Sequence, residues 1–148
     1  MELKNILTNI DYELVCGNVT STINKINYDS RKVEENDIFV CIKGFATDGH
    51  KYINKAIENG AKVIIIQDDV KIQNENIIVI KVSDTRKTLA CIGANYYNNP
   101  SKKMKVIGVT GTNGKTSITT FLSEILSSNN KKVTGIFSEN TIAGKNII

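Results

Sequence analysis

The sequence predicts an α/β protein in which buried strands alternate with helices, and three observations favour this class. Two apolar runs, 61–67 and 77–82, have the composition of strands that are covered on both faces of a sheet. Segments with apolar residues at helical spacing flank these runs. A third apolar run, 106–109, enters a glycine-rich loop that is followed by another helical segment.

The composition is that of a packed globular protein. The 148 residues are 41% hydrophobic and 23% charged, which excludes a disordered or fibrous chain. The net charge of +4 is spread without a long basic block, so nucleic acid is not expected as a partner. Cys16, Cys41 and Cys91 are far apart and predict reduced thiols, not a zinc site. No apolar run approaches the roughly 20 residues that cross a bilayer, so we expect a cytoplasmic protein without membrane contact.

The first hundred residues are expected to form alternating elements. Strands are predicted over 19–28, 38–42, 61–67 and 77–82, and a short helix over 2–8. A second helix is predicted from an Asp48 cap to Asn59, with Gly60 as its stop and with Tyr52, Ile53, Ala56 and Ile57 on its buried face. A third helix follows a cap at Ser83 or Asp84 and buries Leu89, Ile92 and Tyr96 before Pro100.

A polar segment, 98–103, contains the only proline and is the best candidate for a linker. It predicts a first domain at 1–101 and the incomplete start of a second at 102–148. The second part should contain a strand, a loop, a helix and a strand at 132–137, that is, one β-α-β unit. Such a unit cannot cover both faces of a sheet, so an exposed apolar face there favours self-association or partial disorder of 104–148.

The run VIGVTGTNGKTS, 106–117, has the features of a phosphate-binding P-loop. Gly111 and Gly114 allow the backbone to turn tightly and to direct its N–H groups inward. Lys115 adds a positive charge, and the hydroxyl of Thr116 is a ligand for Mg²⁺. The expected ligand is a nucleoside triphosphate.

The spacing departs from the general P-loop, because Val109 stands where the first glycine is expected. A hairpin turn at Asn113-Gly114 is the alternative. The residues that follow favour the phosphate loop, because their apolar members recur on one helical face: Ile118, Phe121, Leu122, Ile125 and Leu126.

Four stretches in order carry a resemblance to a known family. They are DSRKVEENDIFVCIKG, DGHKYINKAIENGAKVIII, SDTRKTLACIGANYYNNPSKK and KVIGVTGTNGKTS. Together they resemble the N-terminal part of the Mur ligases, and the last two are most similar to the branch that adds the third peptide residue. The sequence departs from the family after KKVTGIF, where SENTIAGKNII stands in place of a glycine-threonine turn. The resemblance therefore does not predict where the next strand begins.

The resemblance implies two ligand sites. An N-terminal α/β domain would bind the UDP-N-acetylmuramoyl peptide precursor through Tyr28, Ser30, Phe45, Ala46 and Thr47. The start of a central domain would bind ATP through Gly111, Thr112, Asn113, Gly114, Lys115, Thr116 and Ser117. Lys115 would contact the β- and γ-phosphates as a catalytic residue, and Thr116 would contact Mg²⁺.

The activity implied is an ATP-dependent carbon–nitrogen ligation of peptidoglycan synthesis. It adds a diamino acid to UDP-N-acetylmuramoyl-L-alanyl-D-glutamate through an acyl phosphate, and positioning and charge neutralisation dominate such catalysis. The resemblance places the diamino acid site, a second magnesium ligand and a carbamylated lysine beyond residue 148, so we expect no complete reaction from these residues alone. Two alternatives are a D-alanyl-D-alanine-adding relative and a noncatalytic nucleotide-binding module.

Other polar residues have simpler interpretations. Asp68, Asp69 and Asp84 follow strands and are expected in turns or caps more than at Mg²⁺. His50 is expected as a solvated residue in the first turn of a helix, and Tyr96 and Tyr97 as core residues. Arg31 either pairs with a phosphate or forms an ion pair with Asp29 or Asp37.

Overall fold

The computed structural model describes residues 1–44, 47–72, 74, 76–129, 133–136, 141–143 and 146–147. The chain divides into two compact units, Met1–Met104 and Lys105–Ile148. The assignment of 1–101 to precursor binding and of 102–148 to ATP binding stays a prediction. In the part of the chain that is described, no helix is both long and apolar enough to cross a bilayer.

The first unit is a five-stranded sheet with helices on both faces. Its helices are α1 (Leu3–Ile6), α2 (Ile53–Glu58) and α3 (Thr85–Tyr96). Its strands are β1 (Glu13–Cys16), β2 (Ile26–Asn27), β3 (Asp37–Val40), β4 (Ala61–Ile66) and β5 (Ile78–Lys81). The strand order is β1-β5-β4-β3-β2, with β2 to β5 parallel and β1 antiparallel to β5. The predicted α/β class is confirmed.

Alternate residues of β4 belong to two separate cores. Val63 and Ile65 pack with residues of α1 and α3, including Leu3, Ile6 and Ile92. Ile64 and Ile66 pack on the opposite face with residues of α2, including Ile53 and Ala56. This arrangement explains the uninterrupted apolar sequence of the strand, because both faces of it are buried.

The predicted helix starts are found, with one change. Asp84 caps α3, since its carboxylate accepts hydrogen bonds from the backbone nitrogens of Arg86 and Lys87 at 2.8 and 3.0 Å. Asp48 caps a 3₁₀ turn, Gly49–Tyr52, which leads into α2. The prediction that Tyr52 is buried is wrong: it is 43% exposed, because the 3₁₀ turn directs it away from the core that α2 covers.

Two further predictions in this unit need correction. Of the strand predicted over 19–28, only β2 is formed, and its two residues pair with β3. β1 was not predicted. Its side chains are mostly exposed because it lies at the edge of the sheet, so its sequence shows little of the apolar alternation that indicates a strand. Tyr97 is 72% exposed because α3 ends at the residue before it.

The second unit contains α4 (Lys115–Ser128) and the strands β6 (Thr134–Ile136), β7 (Thr141–Ala143) and β8 (Asn146–Ile147). These strands form an antiparallel sheet in the order β6-β7-β8. The predicted β-α-β unit is wrong, because 106–110 is not in a strand and β6 pairs with β7. Among the described residues, the apolar run has no neighbouring strand to pair with, and Val106 and Ile107 are exposed. The ends of the predicted strand, residues 132 and 137, lie outside the described residues.

Candidate functional site

A cavity of about 640 Å³ lies at the carboxyl ends of β2 and β3. In parallel sheets with helices on both faces, ligands bind at this edge because the loops that leave the strands converge there. The cavity is lined by side chains from the turn after β2, the loop after β3 and the start of α2: Tyr28, Asp29, Ser30, Arg31, Ile42, Gly44, Thr47, Gly49, Tyr52 and Lys55.

Three of the five residues predicted to bind the precursor line this cavity together, namely Tyr28, Ser30 and Thr47. The other two, Phe45 and Ala46, lie outside the described residues. Tyr52 and Lys55 also line the cavity, although neither was predicted to bind a ligand. Lys55 lies outside the apolar stripe of Ile53, Ala56 and Ile57, so its spacing could have indicated an exposed position, whereas Tyr52 was predicted as part of that stripe.

Asp29 and Arg31 shape one wall of the cavity. The carboxylate of Asp29 accepts a bidentate pair of hydrogen bonds from the Arg31 guanidinium, at 2.9 and 2.8 Å, and a third from the Arg31 backbone nitrogen at 3.1 Å. The guanidinium and this backbone N–H lower the pKa of Asp29 from 3.8 to about 2. Of the alternatives for Arg31, the ion pair with Asp29 is therefore formed, and not one with Asp37.

Ser30 begins a short 3₁₀ turn, Ser30–Lys32, and is only 7% exposed. The turn is held against α2 because Asn59 donates a side-chain hydrogen bond of 2.8 Å to the carbonyl oxygen of Ser30. The Ser30 side chain is thus fixed at the cavity wall by its neighbours.

The loop after β3 forms the opposite wall. The backbone nitrogen of Gly44 donates to the carbonyl of Thr47 at 2.8 Å, and that of Gly49 donates to the carbonyl of Ile42 at 2.9 Å. The backbone approaches so closely here that a Cβ atom on Gly49 would lie 2.7 Å from the backbone nitrogen of Ile42. A residue larger than glycine at position 49 would therefore displace the loop.

His50 connects this loop to the end of β4, so the expectation of a solvated residue is wrong. Its side chain is 7% exposed. Nδ1 lies 2.6 Å from Oδ1 of Asp48, and Nε2 accepts hydrogen bonds from the backbone nitrogens of Gln67 and Asp68 at 3.1 and 3.4 Å. The bonds from the backbone N–H and the imidazole of His50 lower the pKa of Asp48. The residue is buried because the 3₁₀ turn places it between two strand ends.

Oxygen and nitrogen atoms of Asp48, His50 and Asp68 lie within 4.8 Å of one another, which raises the question of a metal ion. A metal needs a free lone pair on the imidazole. Nε2 already accepts from two backbone N–H groups, Nδ1 faces Asp48, and Asp68 forms an ion pair of 2.8 Å with Lys43. We therefore assign the cluster to hydrogen bonding and not to metal binding.

The other strand-end carboxylates have structural partners as well. Asp69 forms an ion pair of 2.5 Å with Lys81, and Asp84 caps α3. Asp84 also borders a smaller hollow of about 290 Å³ with Lys43, Gln67, Ser83, Thr85 and Arg86. The predicted turn and cap roles fit these carboxylates better than a role at Mg²⁺.

The glycine-rich loop of the second unit leads directly into α4, as predicted. Gly114 has a φ of +76° at the helix start, a left-handed conformation that favours glycine. The first amides of α4 have no carbonyl one turn earlier within the helix, so they can bind an anion. Lys115 Nζ donates to the carbonyl oxygens of Gly111 and Thr112 at 2.5 and 3.3 Å. The donor set fits a phosphate group, while its role in ATP binding stays a prediction.

The model of the family described as "Mur ligase family, catalytic domain" matches residues 22–97. A 2,6-diaminopimelate ligase of UDP-N-acetylmuramoyl-L-alanyl-D-glutamate from Clostridium perfringens (strain 13 / Type A) is 52% identical over 126 residues. The match covers 85% of this chain and 26% of that relative. The chain therefore spans about a quarter of the length of the curated relatives it matches.

Solved structures give a consistent result. A UDP-N-acetylmuramoylalanyl-D-glutamyl-2,6-diaminopimelate–D-alanyl-D-alanyl ligase from Acinetobacter baumannii superposes with a TM-score of 0.67 at 31% identity, covering 85% of this chain and 28% of that one. The MurF ligase from Thermotoga maritima, solved in complex with ADP, has a TM-score of 0.55 at 30% identity and covers 70% of this chain and 23% of its own.

Proposed function

This chain belongs to the Mur ligase family, and we propose that it is the N-terminal part of the ligase that adds a diamino acid to UDP-N-acetylmuramoyl-L-alanyl-D-glutamate. The observation that carries the proposal is the cavity at the carboxyl ends of β2 and β3, where Tyr28, Ser30 and Thr47 come together. Two curated relatives that are 52% and 53% identical are both diaminopimelate ligases, which favours the diamino acid branch. A cytoplasmic location is part of the same proposal.

In the first unit, the cavity would hold the uridine diphosphate end of the precursor. Tyr28 and Tyr52 are 66% and 43% exposed at the cavity, and exposed aromatic rings can stack on a base. The buried Ser30 and the exposed Thr47 offer hydroxyl groups to the ribose or the diphosphate. Lys55 adds a positive charge near the diphosphate, in addition to its pair of 3.3 Å with Glu58.

In the second unit, the glycine-rich loop would hold the triphosphate of ATP, whose γ-phosphate activates the substrate carboxylate as an acyl phosphate in such ligations. The amides that open α4 and the ammonium of Lys115 would neutralise the β- and γ-phosphates. For this, Lys115 exchanges its bonds to the loop carbonyls for bonds to phosphate. Thr116 would offer its hydroxyl to Mg²⁺.

These residues would bind ligands but would not complete the ligation, since the chain spans about a quarter of the relatives' length. The diamino acid site and further magnesium ligands would then lie in the part of such a ligase that this chain does not span. Ile118, Phe121 and Ile125 form an exposed apolar face on α4. This face supports the proposal that the second unit self-associates when no other part of the protein covers the face.

The test is calorimetric titration of the 148-residue chain with UDP-N-acetylmuramoyl-L-alanyl-D-glutamate, with UDP and with Mg-ATP. We expect binding of the precursor and of UDP, binding of Mg-ATP, and no release of phosphate when all substrates are mixed. Binding of Mg-ATP without any binding of UDP would identify the noncatalytic nucleotide module instead. Turnover by the 148 residues would overturn the claim that they are insufficient.

A further inference from the structure

The cavity wall that contains Thr47 and Gly49 is connected to the end of β4 by two side chains, those of Lys43 and His50. Near β3, the backbone nitrogen of Gly49 donates to the carbonyl of Ile42, two residues after that strand ends. The ion pair between Lys43 and Asp68 is about half exposed to solvent. The buried connection runs through the imidazole of His50, which reaches the backbone of Gln67 and Asp68, 17 and 18 residues further along the chain. The imidazole thus joins the loop that lines the cavity to a strand end that does not line it.

The directions of these hydrogen bonds define the protonation of the ring. A backbone N–H can only donate, so Nε2 of His50 must carry a lone pair where it meets Gln67. A neutral imidazole with an unprotonated Nε2 carries its proton on Nδ1, which then donates to Asp48 at 2.6 Å. A protonated imidazolium would place two N–H groups against each other at Nε2.

The Asp48 carboxylate completes the connection. Its Oδ1 also accepts from the backbone nitrogen of His50 at 3.0 Å, so it fixes both the backbone and the ring of this residue. Residue 48 also pairs with Lys43 across the loop, as an isolated antiparallel bridge. Asp48 and His50 together therefore set the distance between Thr47, at the cavity, and the end of β4.

We propose that His50, as the neutral Nδ1-protonated tautomer, is a positioning residue that holds the Thr47 loop in place for the uridine diphosphate end of the precursor. The inference rests on the proposed function of the cavity. His50 does not line the cavity, so it would not contact a ligand bound there. It acts by keeping Thr47 at a fixed distance from the Ser30 turn. Residues on both sides of the cavity can then contact the same ligand.

The first test is spectroscopic and uses the chain as it is. His50 is the only histidine, so the imidazole signals in a long-range ¹H–¹⁵N spectrum need no assignment. We expect a pyridine-like, unprotonated Nε2 and a protonated Nδ1 at neutral pH. A spectrum of the opposite tautomer, or of rapid exchange between the two, overturns the inference even if every variant fails to fold.

The second test compares two substitutions of His50 whose side chains differ in length. His50→Gln retains an acceptor at the position of Nε2 and should bind UDP within about threefold of the unsubstituted chain. His50→Asn can meet Asp48 but is too short to reach Gln67, so its affinity for UDP should fall about tenfold, as expected for the loss of roughly one net hydrogen bond. Lys51→Asn, at an exposed neighbouring position, is the matched control and should bind UDP normally.

A purely structural role would lower stability without separating these variants by affinity. Melting temperatures and titrations with UDP and Mg-ATP are therefore measured on all three. Loss of UDP binding in His50→Asn, with Mg-ATP binding kept and with rescue in His50→Gln, supports the inference. Equal UDP affinity in the unsubstituted chain and in His50→Asn overturns it, whereas absence of UDP binding in the unsubstituted chain overturns the proposed function itself.

Discussion

The side-chain amide of Asn27 donates a hydrogen bond of 2.7 Å to the carboxylate of Asp37, which is fully buried. The same carboxylate accepts from the backbone nitrogens of Lys25 and Glu34 at 3.0 and 2.9 Å. One donor before β2, one in β2 and one in the connection to β3 thus converge on one side chain at the start of β3. The connection between β2 and β3 contains Ser30, so the bond from Glu34 to Asp37 fixes a segment that also lines the cavity.

Asp37→Asn should destabilise the first unit by about 2–3 kcal/mol. The amide has one acceptor oxygen in place of two, and its own N–H groups would face N–H donors that now bond to the buried carboxylate. Urea unfolding followed by circular dichroism measures the change as a lower midpoint. Asp11→Asn, at an exposed position, is the control and should leave the midpoint unchanged. Equal midpoints for the two variants would show that Asp37 is not held as described.

Tyr52→Ala should weaken UDP binding by about 5- to 150-fold, the range that corresponds to roughly 1–3 kcal/mol for an aromatic ring stacked on a base. Titration with UDP measures the effect. Tyr97→Ala removes a ring that is more exposed, at 72%, and that does not line the cavity, so it should bind UDP normally. A Tyr52 variant with unchanged affinity would place the base elsewhere.

Lys115→Ala should lower the affinity for Mg-ATP and leave the affinity for the UDP precursor unchanged, because the ammonium belongs to the loop that opens α4. Lys105→Ala removes an exposed lysine outside this loop and serves as the control. Both affinities are measured by titration on each variant. A parallel loss of the two affinities in Lys115→Ala would argue against two separate sites.

Arg31→Gln should raise the pKa of Asp29 from about 2 towards 3.8, because the largest cause of the low value, the guanidinium pair, is removed. The rise should be incomplete, since the Arg31 backbone N–H still donates to the carboxylate. Because the folded pKa lies below the ordinary value, the stabilisation by this pair is present above pH 3.8 and is lost as the pH falls through about 2. Carboxyl ¹³C shifts followed against pH measure the titration, and an unchanged pKa in the variant contradicts the assignment.

Self-association through the second unit stays a prediction with its own test. Ile118, Phe121 and Ile125 form an apolar stripe on α4 and are each about half exposed or more. Replacing Phe121 and Ile125 by lysine should reduce any concentration-dependent mass seen by sedimentation. If the stripe is buried against a second copy, Phe121 should also be shielded from quenchers in the solvent. A mass that does not change with concentration, in the unsubstituted chain and in the variant alike, would contradict the prediction.

The buried strands and the helix caps could be predicted from the sequence because local signals and tertiary packing agree there. The apolar run of β4 and the Asp84 cap are examples. The helix after Gly114 was also predictable, from its apolar stripe. In these elements a single stretch of chain contains the information needed.

The failures have a common physical cause, which is that the deciding partner lies far away in sequence. The run 106–110 has strand composition but forms no strand, and no strand among the described residues lies beside it. His50 is buried only because Gln67 and Asp68 lie against it in the fold. In the cavity, Tyr28, Ser30 and Thr47 could be named from the resemblance, while Tyr52 depended on a 3₁₀ turn in place of a helical one.

The double core around β4 has a consequence for the order in which the protein opens. Val63 and Ile65 face one layer and Ile64 and Ile66 the other, so solvent can reach this strand only after both layers have separated. In heavy water, the amide protons of Val63 to Ile66 should accordingly be among the slowest in the first unit to be replaced by deuterium. Amide protons of exposed residues that line the cavity, such as Tyr28 and Thr47, should be replaced by deuterium long before those of β4.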